Sequence, residues 1–341
     1  MKHSFPILHY PTTTVFIDDD YDFIKSLFFF FKQNESFVSG FEFFNNEEKA
    51  LEFINQSPSH KDILKSYIGV MDENLWQHKQ IDLNFNDLHK VSHNENRFRE
   101  VSVVVVDYEM PNINGIDFAK KIKNKGIKTI LLTGEADETA AIEAFNEGLI
   151  DRYLKKENPK MSFLIEEFIK QLQLESHLET TSLFKEAVKS EQEESAYSDL
   201  NYIEFLNTYF TQNKFCEIYP FETNGSSLFV KEDGKVNLIY VATADQIDSS
   251  IETYMDPENS NIELLKSLEN HQKMICPYNP LTGNIVTCEK EIFNNIHPTK
   301  MIEGDLQNYY YCEIEGLSDK KIAGFKDFRD MNTQKYSKVF R

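Results

Sequence analysis

Val101-Ser102-Val103-Val104-Val105-Val106 runs straight into Asp107. Valine is stiff at Cβ and favours strands over helices. The run has no polar alternation, so neither face of such a strand can meet water. Strands buried on both faces belong to parallel sheets wrapped by helices. This one segment therefore demands further strand–helix units around it.

The neighbouring sequence supplies them. Thr13–Ile17 reads as a strand entering Asp18-Asp19-Asp20, followed by a helix from about Tyr21 to Lys32 with Phe23, Leu27, Phe30 and Phe31 at helical spacing. Ser36–Val38 reads as a second strand and Glu47–Asn55 as a second helix. After Val101–Val106 come a helix over Gly115–Asn124, a strand over Thr129–Leu132 and a helix over Asp137–Asn146. A strand over Ile150–Leu154 and a helix over Ser162–Leu174 complete the series. Five strands alternating with five helices predict a doubly wound α/β domain with a five-stranded parallel sheet over residues 10–174. Residues 56–100 break the alternation and read as an inserted helical excursion containing Trp76, a surface elaboration suited to dimerisation. Residues 175–196 are acidic and read as a linker or a solvated helix. Residues 197–341 read as a mixed α+β domain. It has a helix near Asp199–Thr211, a hairpin turned by Glu232-Asp233-Gly234-Lys235, a helix over Ile262–Met274 and a strand at Tyr309-Tyr310-Tyr311.

In an open parallel sheet, ligands bind beyond the carboxyl ends of the strands. Asp18 and Asp19 follow the first strand, Asp107 the third, Thr133 the fourth, and Lys155 and Lys156 the fifth. Crowded carboxylates repel unless a cation sits among them, and hard oxygen donors suit Mg²⁺. A hydroxyl and an ammonium nearby can bind phosphoryl oxygens. The chemistry this set predicts is phosphoryl transfer to a carboxylate. One Asp after a strand is usually a turn or cap residue. Four strand ends each delivering the required type are much harder to explain that way.

These motifs resemble the receiver domain of two-component response regulators, a flavodoxin-like fold. They are Val15-Phe16-Ile17-Asp18-Asp19-Asp20, Asp107-Tyr108-Glu109-Met110-Pro111-Asn112-Ile113-Asn114-Gly115, Leu131-Leu132-Thr133-Gly134 and Tyr153-Leu154-Lys155-Lys156. The resemblance implies a phosphoacceptor at Asp107, and Mg²⁺ held by Asp18, Asp19, Asp107 and the backbone carbonyl of Glu109. It implies a switch pair of Thr133 and Tyr153 and a phosphate-binding lysine. Counting from Tyr153 gives Lys156 and counting from Gly148 gives Lys155; strand parity favours Lys156. Glu157 stands where the family usually has proline. The stretches Leu131–Glu138 and Phe145–Tyr153 resemble receivers associated with α-hydroxyketone quorum sensing. Implied partners are a sensor histidine kinase and a second copy of the chain on phosphorylation.

The second half carries no such signature. It shows no Walker loop, nucleophile elbow or His-Glu-x-x-His motif and no compact helix-turn-helix with a basic recognition helix. With 36 Lys and Arg against 56 Asp and Glu, the net charge of −20 argues against a dedicated polyanion binder and leaves nucleic acid open. Seven basic residues between Lys320 and Arg341 read as a solvated terminal helix. Four cysteines, Cys216, Cys276, Cys288 and Cys312, form no Cys-x-x-Cys pair and no disulfide scaffold, which suits a reducing cytoplasm; Cys288 and Cys312 read as core thiols. The opening residues lack a signal-peptide core and no apolar run approaches a membrane span. Three functions follow: a regulator whose second domain contacts a protein or nucleic acid, a phosphorylation-regulated enzyme with its active site in that domain, or a degenerate receiver serving only as a scaffold. The intact set of Asp18, Asp19, Asp107, Thr133 and Lys156 counts against the last.

Overall fold

The computed structural model describes residues 5–34, 37–64, 85–124, 126–134, 137–190, 195–256, 261–279, 281–286, 288–318 and 320–340. Its chain falls into two units. One comprises Tyr10–Ile63, Glu95–Glu179 and Phe325–Arg341; the other comprises Met1–His9, Leu64–Asn94 and Thr180–Gly324.

The first unit holds β1 (Thr13–Ile17), α1 (Tyr21–Gln33), β2 (Gly40–Phe44), α2 (Glu47–Gln56) and the short α3 (His60–Leu64). Past the short α4 (Phe85–Leu88), which belongs to the other unit, it continues with β3 (Val101–Asp107), α5 (Gly115–Lys121), β4 (Lys128–Thr133), α6 (Glu138–Asn146) and β5 (Arg152–Lys155). The sheet is all parallel in the order β2-β1-β3-β4-β5. That is the flavodoxin-like doubly wound order. The valine run now has its cause. Val103 and Val105 pack on one face with Phe16, Phe28, Phe43, Ile165 and Ile169, while Val104 and Val106 pack on the other with Ile17, Ala50, Phe118 and Ala141. Both faces are covered, so both must be apolar.

Several elements depart from the sequence reading. The second strand is Gly40–Phe44, not Ser36–Val38. Phe41 and Phe43 pack into the α1 side of the core and Phe44 into the other side, so two-sided burial selects the aromatic run. The helix after β5, α7 (Met161–Ser190), continues as one element through the stretch read as an acidic linker. Within that stretch His177, Thr180 and Thr181 are buried, so the helix keeps a covered side past the acidic residues. Residues 64–94, read as a surface elaboration, group with the second unit. There Leu88 and Val91 are fully buried and the His89 ring lies 5.0 Å from that of Phe221. Trp76 lies outside the described residues. Last, the basic terminal segment forms α12 (Phe325–Val339) within the first unit, with Phe325, Asn332 and Tyr336 buried rather than solvated.

The second unit is built on α8 (Leu200–Gln212), β6 (Phe215–Pro220), β7 (Ser227–Lys231), β8 (Val236–Ala242), α9 (Ala244–Tyr254) and α10 (Ile262–Glu269). It continues with β9 (Lys273–Ile275), α11 (Glu289–Asn294), β10 (Ile296–Pro298), β11 (Lys300–Glu303) and β12 (Asn308–Leu317). Its main sheet is antiparallel in the order β11-β12-β8-β7-β6. The helix expected to reach Met274 stops at Glu269. His271 takes a left-handed conformation (φ 54°) and the chain turns into β9. Among the described residues, no helix is long and apolar enough to cross a membrane.

Candidate functional site

The carboxyl ends of β1, β3, β4 and β5 converge on one pocket of the first unit. β1 delivers Asp18, which is 2 % exposed, and β3 ends on Asp107, which is 5 % exposed. Asp19 lies beside them on the exposed rim, and oxygens of the three carboxylates all lie within 4.8 Å of one another. The third member of the acidic triplet is a structural residue. Asp20 is the N-cap of α1, and its side chain accepts from the backbone N–H groups of Asp22 and Phe23.

Lys156 reaches into this group. Its Nζ lies 2.7 Å from Asp18 Oδ2 and 2.9 Å from Asp107 Oδ1. Lys155 points elsewhere, pairing with Glu138 at 2.8 Å. The alternation of a strand sends adjacent side chains to opposite sides, which separates the two lysines. The backbone N–H of Lys156 donates to the Thr133 carbonyl at 3.0 Å, so the β4–β5 ladder holds it in place. The Phe23 ring lies 4.9 Å from its ammonium. Thr133 ends β4 fully buried, and its hydroxyl has no hydrogen-bond partner.

Electrostatics follow from this crowding. Burial pushes the Asp107 carboxyl up to about 6; the ion pair with Lys156 opposes the rise and the neighbouring Asp18 charge adds to it. Burial likewise raises Asp18 above the usual carboxylate range, against the pull of Lys156. For Lys156, burial disfavours the charge, but its hydrogen bonds and ion pairs with Asp18 and Asp107 outweigh that and hold it above its ordinary value. The site is therefore short of positive charge, with one ammonium among three carboxylates.

The loop after β3 is tightly closed. Gly115 N–H donates to the Tyr108 carbonyl at 2.9 Å, and Asn114 caps α5 by accepting from Asp117 N–H. A Cβ on Gly115 would stand 2.4 Å from the Asp107 carbonyl oxygen and 2.6 Å from Leu131 Cδ1, so only glycine fits. Asn112 donates to the Glu47 carboxylate, tying this loop to the start of α2. Neither Glu47 nor Phe23 was singled out from the sequence. Phe23 read only as an apolar helical position and Glu47 only as the start of a helix, so nothing local marked either as part of the site. Glu109 lies exposed in the loop. Tyr153 sits on β5, half-buried, with its ring 6.1 Å from Phe145 at 68°.

A divalent cation fits the donor set. Three carboxylates supply hard oxygen ligands, and the excess negative charge is what a cation would neutralise. Asp18, Asp19 and Asp107 would hold it.

Residues 77–168 match the response regulator receiver domain family. That span begins after β1 and β2, so it includes Asp107, Thr133 and Lys156 but not Asp18 and Asp19. No curated protein matches the chain. Among solved structures, the Legionella pneumophila response regulator LqsR is similar over 96% of this chain and 96% of its own, at 27% identity and a TM-score of 0.70. The signal receiver domain of an HD domain-containing protein from Pseudomonas fluorescens is 19% identical, covering 51% of this chain and 94% of its own, with a TM-score of 0.33. An adenylate cyclase from Rhodopirellula baltica is 23% identical, covering 53% of this chain and 99% of its own, with a TM-score of 0.34. Residues 77–168 thus match the response regulator receiver domain family, and over nearly its whole length the chain is similar to the Legionella response regulator LqsR.

Proposed function

We propose that this protein is a two-component response regulator that accepts a phosphoryl group on Asp107 from a sensor histidine kinase. The observation that carries the reading is the meeting of Asp18, Asp19, Asp107, Thr133 and Lys156 at four strand ends. An Asp107 carboxylate oxygen attacks phosphorus in line, an O–P bond forms, and the P–N bond of the kinase phosphohistidine breaks. The imidazole leaves with the bonding electron pair. Bound Mg²⁺ supplies Lewis-acid stabilisation of the transferring phosphoryl oxygens. Asp18, Asp19, Asp107 and the Glu109 carbonyl would hold it. Lys156 exchanges its partners for a phosphoryl oxygen, and the free Thr133 hydroxyl donates to another. Thr133 then moves towards Asp107 and Tyr153 turns into the space it leaves. This biases the face of α6, β5 and α7 towards self-association by population shift.

The remaining assignments complete the reading. The protein acts in the cytoplasm, pairs with a second copy when phosphorylated, and ends the relay rather than passing the group on. The similarity of Leu131–Glu138 and Phe145–Tyr153 to α-hydroxyketone receivers favours a place in quorum sensing. The test is intact-mass analysis after incubation with acetyl phosphate and Mg²⁺. Wild type should gain one phosphoryl group and Asp107→Asn none. A gain in the Asn variant would remove Asp107 from its role.

A further inference from the structure

The receiver sheet ends at β2, and an edge strand leaves a row of backbone groups without strand partners. Here α12 covers that row. Phe43 N–H donates to Tyr336 Oη at 2.9 Å, and Asn332 Nδ2 donates to the Phe41 carbonyl at 3.1 Å. Between them, the Glu42 carboxylate accepts from Lys335 and from the Tyr336 hydroxyl. The helix face at Phe325, Phe328, Asn332 and Tyr336, with Phe340 just beyond it, repeats at three- and four-residue spacing. Its aromatic end fills a trough formed by β2 and α1. Tyr336 lies 5.1 Å from Phe43 at 82°, and Phe340 lies 5.3 Å from Phe28.

This docking reaches the start of α1. The Tyr21 hydroxyl donates to the Val339 carbonyl at 2.9 Å and its ring lies 5.5 Å from Phe340. Further along α1, Lys32 Nζ donates to Ser337 Oγ at 3.1 Å. Tyr21 directly follows Asp18-Asp19-Asp20, and the Asp20 N–H donates to Asp18 Oδ1 at 2.9 Å. The Asp18 N–H in turn donates to the carbonyl of Phe44, the last residue of β2. The turn that carries two of the three pocket carboxylates is thus held at both ends by elements that α12 grips.

We propose that α12 is a clamp acting in cis on the receiver, and that Tyr21 and Phe340 are positioning residues for the divalent-cation site. Docked, the helix holds the β1–α1 turn so that Asp18 and Asp19 face Asp107. Undocked, the turn loosens and the cation binds more weakly. This deepens the proposed function, since it names what controls the site on which that reading rests. The carboxylates repel one another, and Lys156 offsets part of that repulsion from inside the pocket. The contacts of α12 on β2 and α1 add support from outside it.

The test uses the full chain with Tyr21→Phe, which deletes one hydroxyl, and Phe340→Ala, which empties the trough. Mn²⁺ binding is followed by electron paramagnetic resonance of the free ion, and hydrogen exchange is followed across β2. Phosphorylation by acetyl phosphate is measured against Mg²⁺ concentration. Phe340→Ala should speed β2 exchange at least 10-fold and weaken Mn²⁺ at least 5-fold. Tyr21→Phe should weaken Mn²⁺ about 2-fold with the fold intact. In both variants the Mg²⁺ half-saturation should rise while the rate at saturating Mg²⁺ stays near wild type. Faster β2 exchange with unchanged Mn²⁺ affinity would overturn the clamp. So would unchanged Mn²⁺ affinity in Tyr21→Phe if Phe340→Ala fails to fold. A wild-type chain that binds Mn²⁺ but takes up no phosphoryl group would refute the proposed function, with the clamp still judged on the Mn²⁺ affinities.

Discussion

Replacing Lys156 by methionine keeps the volume of the stem and removes the one ammonium that lies between Asp18 and Asp107. Each ion pair, at 2.7 and 2.9 Å, represents a gross attraction of roughly 6 kcal/mol at an effective dielectric of about 20. Most of that is offset by the cost of taking three charges out of water. What remains on truncation is the penalty of leaving carboxylates buried without a partner, typically about 3–5 kcal/mol. Lys156 is 25% exposed, and solvent screening at that exposure reduces the expected loss to about 2–3 kcal/mol. A divalent cation replaces the missing charge, so saturating Mg²⁺ should restore at least half of the loss. The measurement is native-state hydrogen exchange of peptides covering β1 and β3, with and without Mg²⁺, at pH 7.5. Lys156→Arg, which keeps the charge, should fall between the two. A loss below about 0.5 kcal/mol without metal would refute the electrostatic account. So would an equal loss with and without Mg²⁺.

Gly115→Ala should cost about 1–3 kcal/mol by overpacking and slow phosphorylation at least 10-fold, because the new Cβ collides with the Asp107 carbonyl; denaturant melts and intact-mass kinetics check it. Thr133→Ala should still take up a phosphoryl group on Asp107, yet show no change in mass with beryllofluoride by analytical ultracentrifugation where wild type associates. In the second unit, burial pushes the Glu222 carboxyl up to about 7, against hydrogen bonds from Tyr278 and Asn224. A raised carboxyl gives a contribution fully present below the unfolded value of 4.5 and lost as pH rises through the folded value. Glu222→Gln should therefore match wild type near pH 4.5 and be more stable by about 3 kcal/mol at pH 8. Melts showing the same difference at both pH values would refute the assignment.

The receiver fold was legible because its signals are local. A strand covered on both faces must be apolar throughout, so Val101–Val106 announces itself. Residues at strand ends follow from where each run stops, so Asp18, Asp19, Asp107, Thr133 and Lys156 could be named from one-dimensional order. The parity of a strand even separates Lys156 from Lys155, since adjacent side chains diverge. Gly115 was visible as a residue type, but its reason was not. Only the fold brings its Cα against the Asp107 carbonyl and Leu131.

What remained hidden depends on contacts between distant parts of the chain. Residues 40–44 compete with 36–38 for the edge of the sheet, and burial against α1 and α2 decides between them. The acidic stretch after Leu174 looks like a linker by charge alone, yet α7 runs through it, with His177, Thr180 and Thr181 buried. The insertion divides between the units: Phe98 is buried in the first, while Leu88 and Val91 are buried in the second. The basic tail looks solvated because its charges dominate its composition, although Phe325, Phe328, Asn332 and Tyr336 repeat at helical spacing; only the fold shows what that face packs against. Sequence by itself determined the strand–helix alternation and the chemistry at the strand ends, since both are written in neighbouring residues. Only the tertiary structure decided which segments cover which edges, since burial is shared between residues hundreds of positions apart: Tyr336 on Phe43, and Val339 on Tyr21.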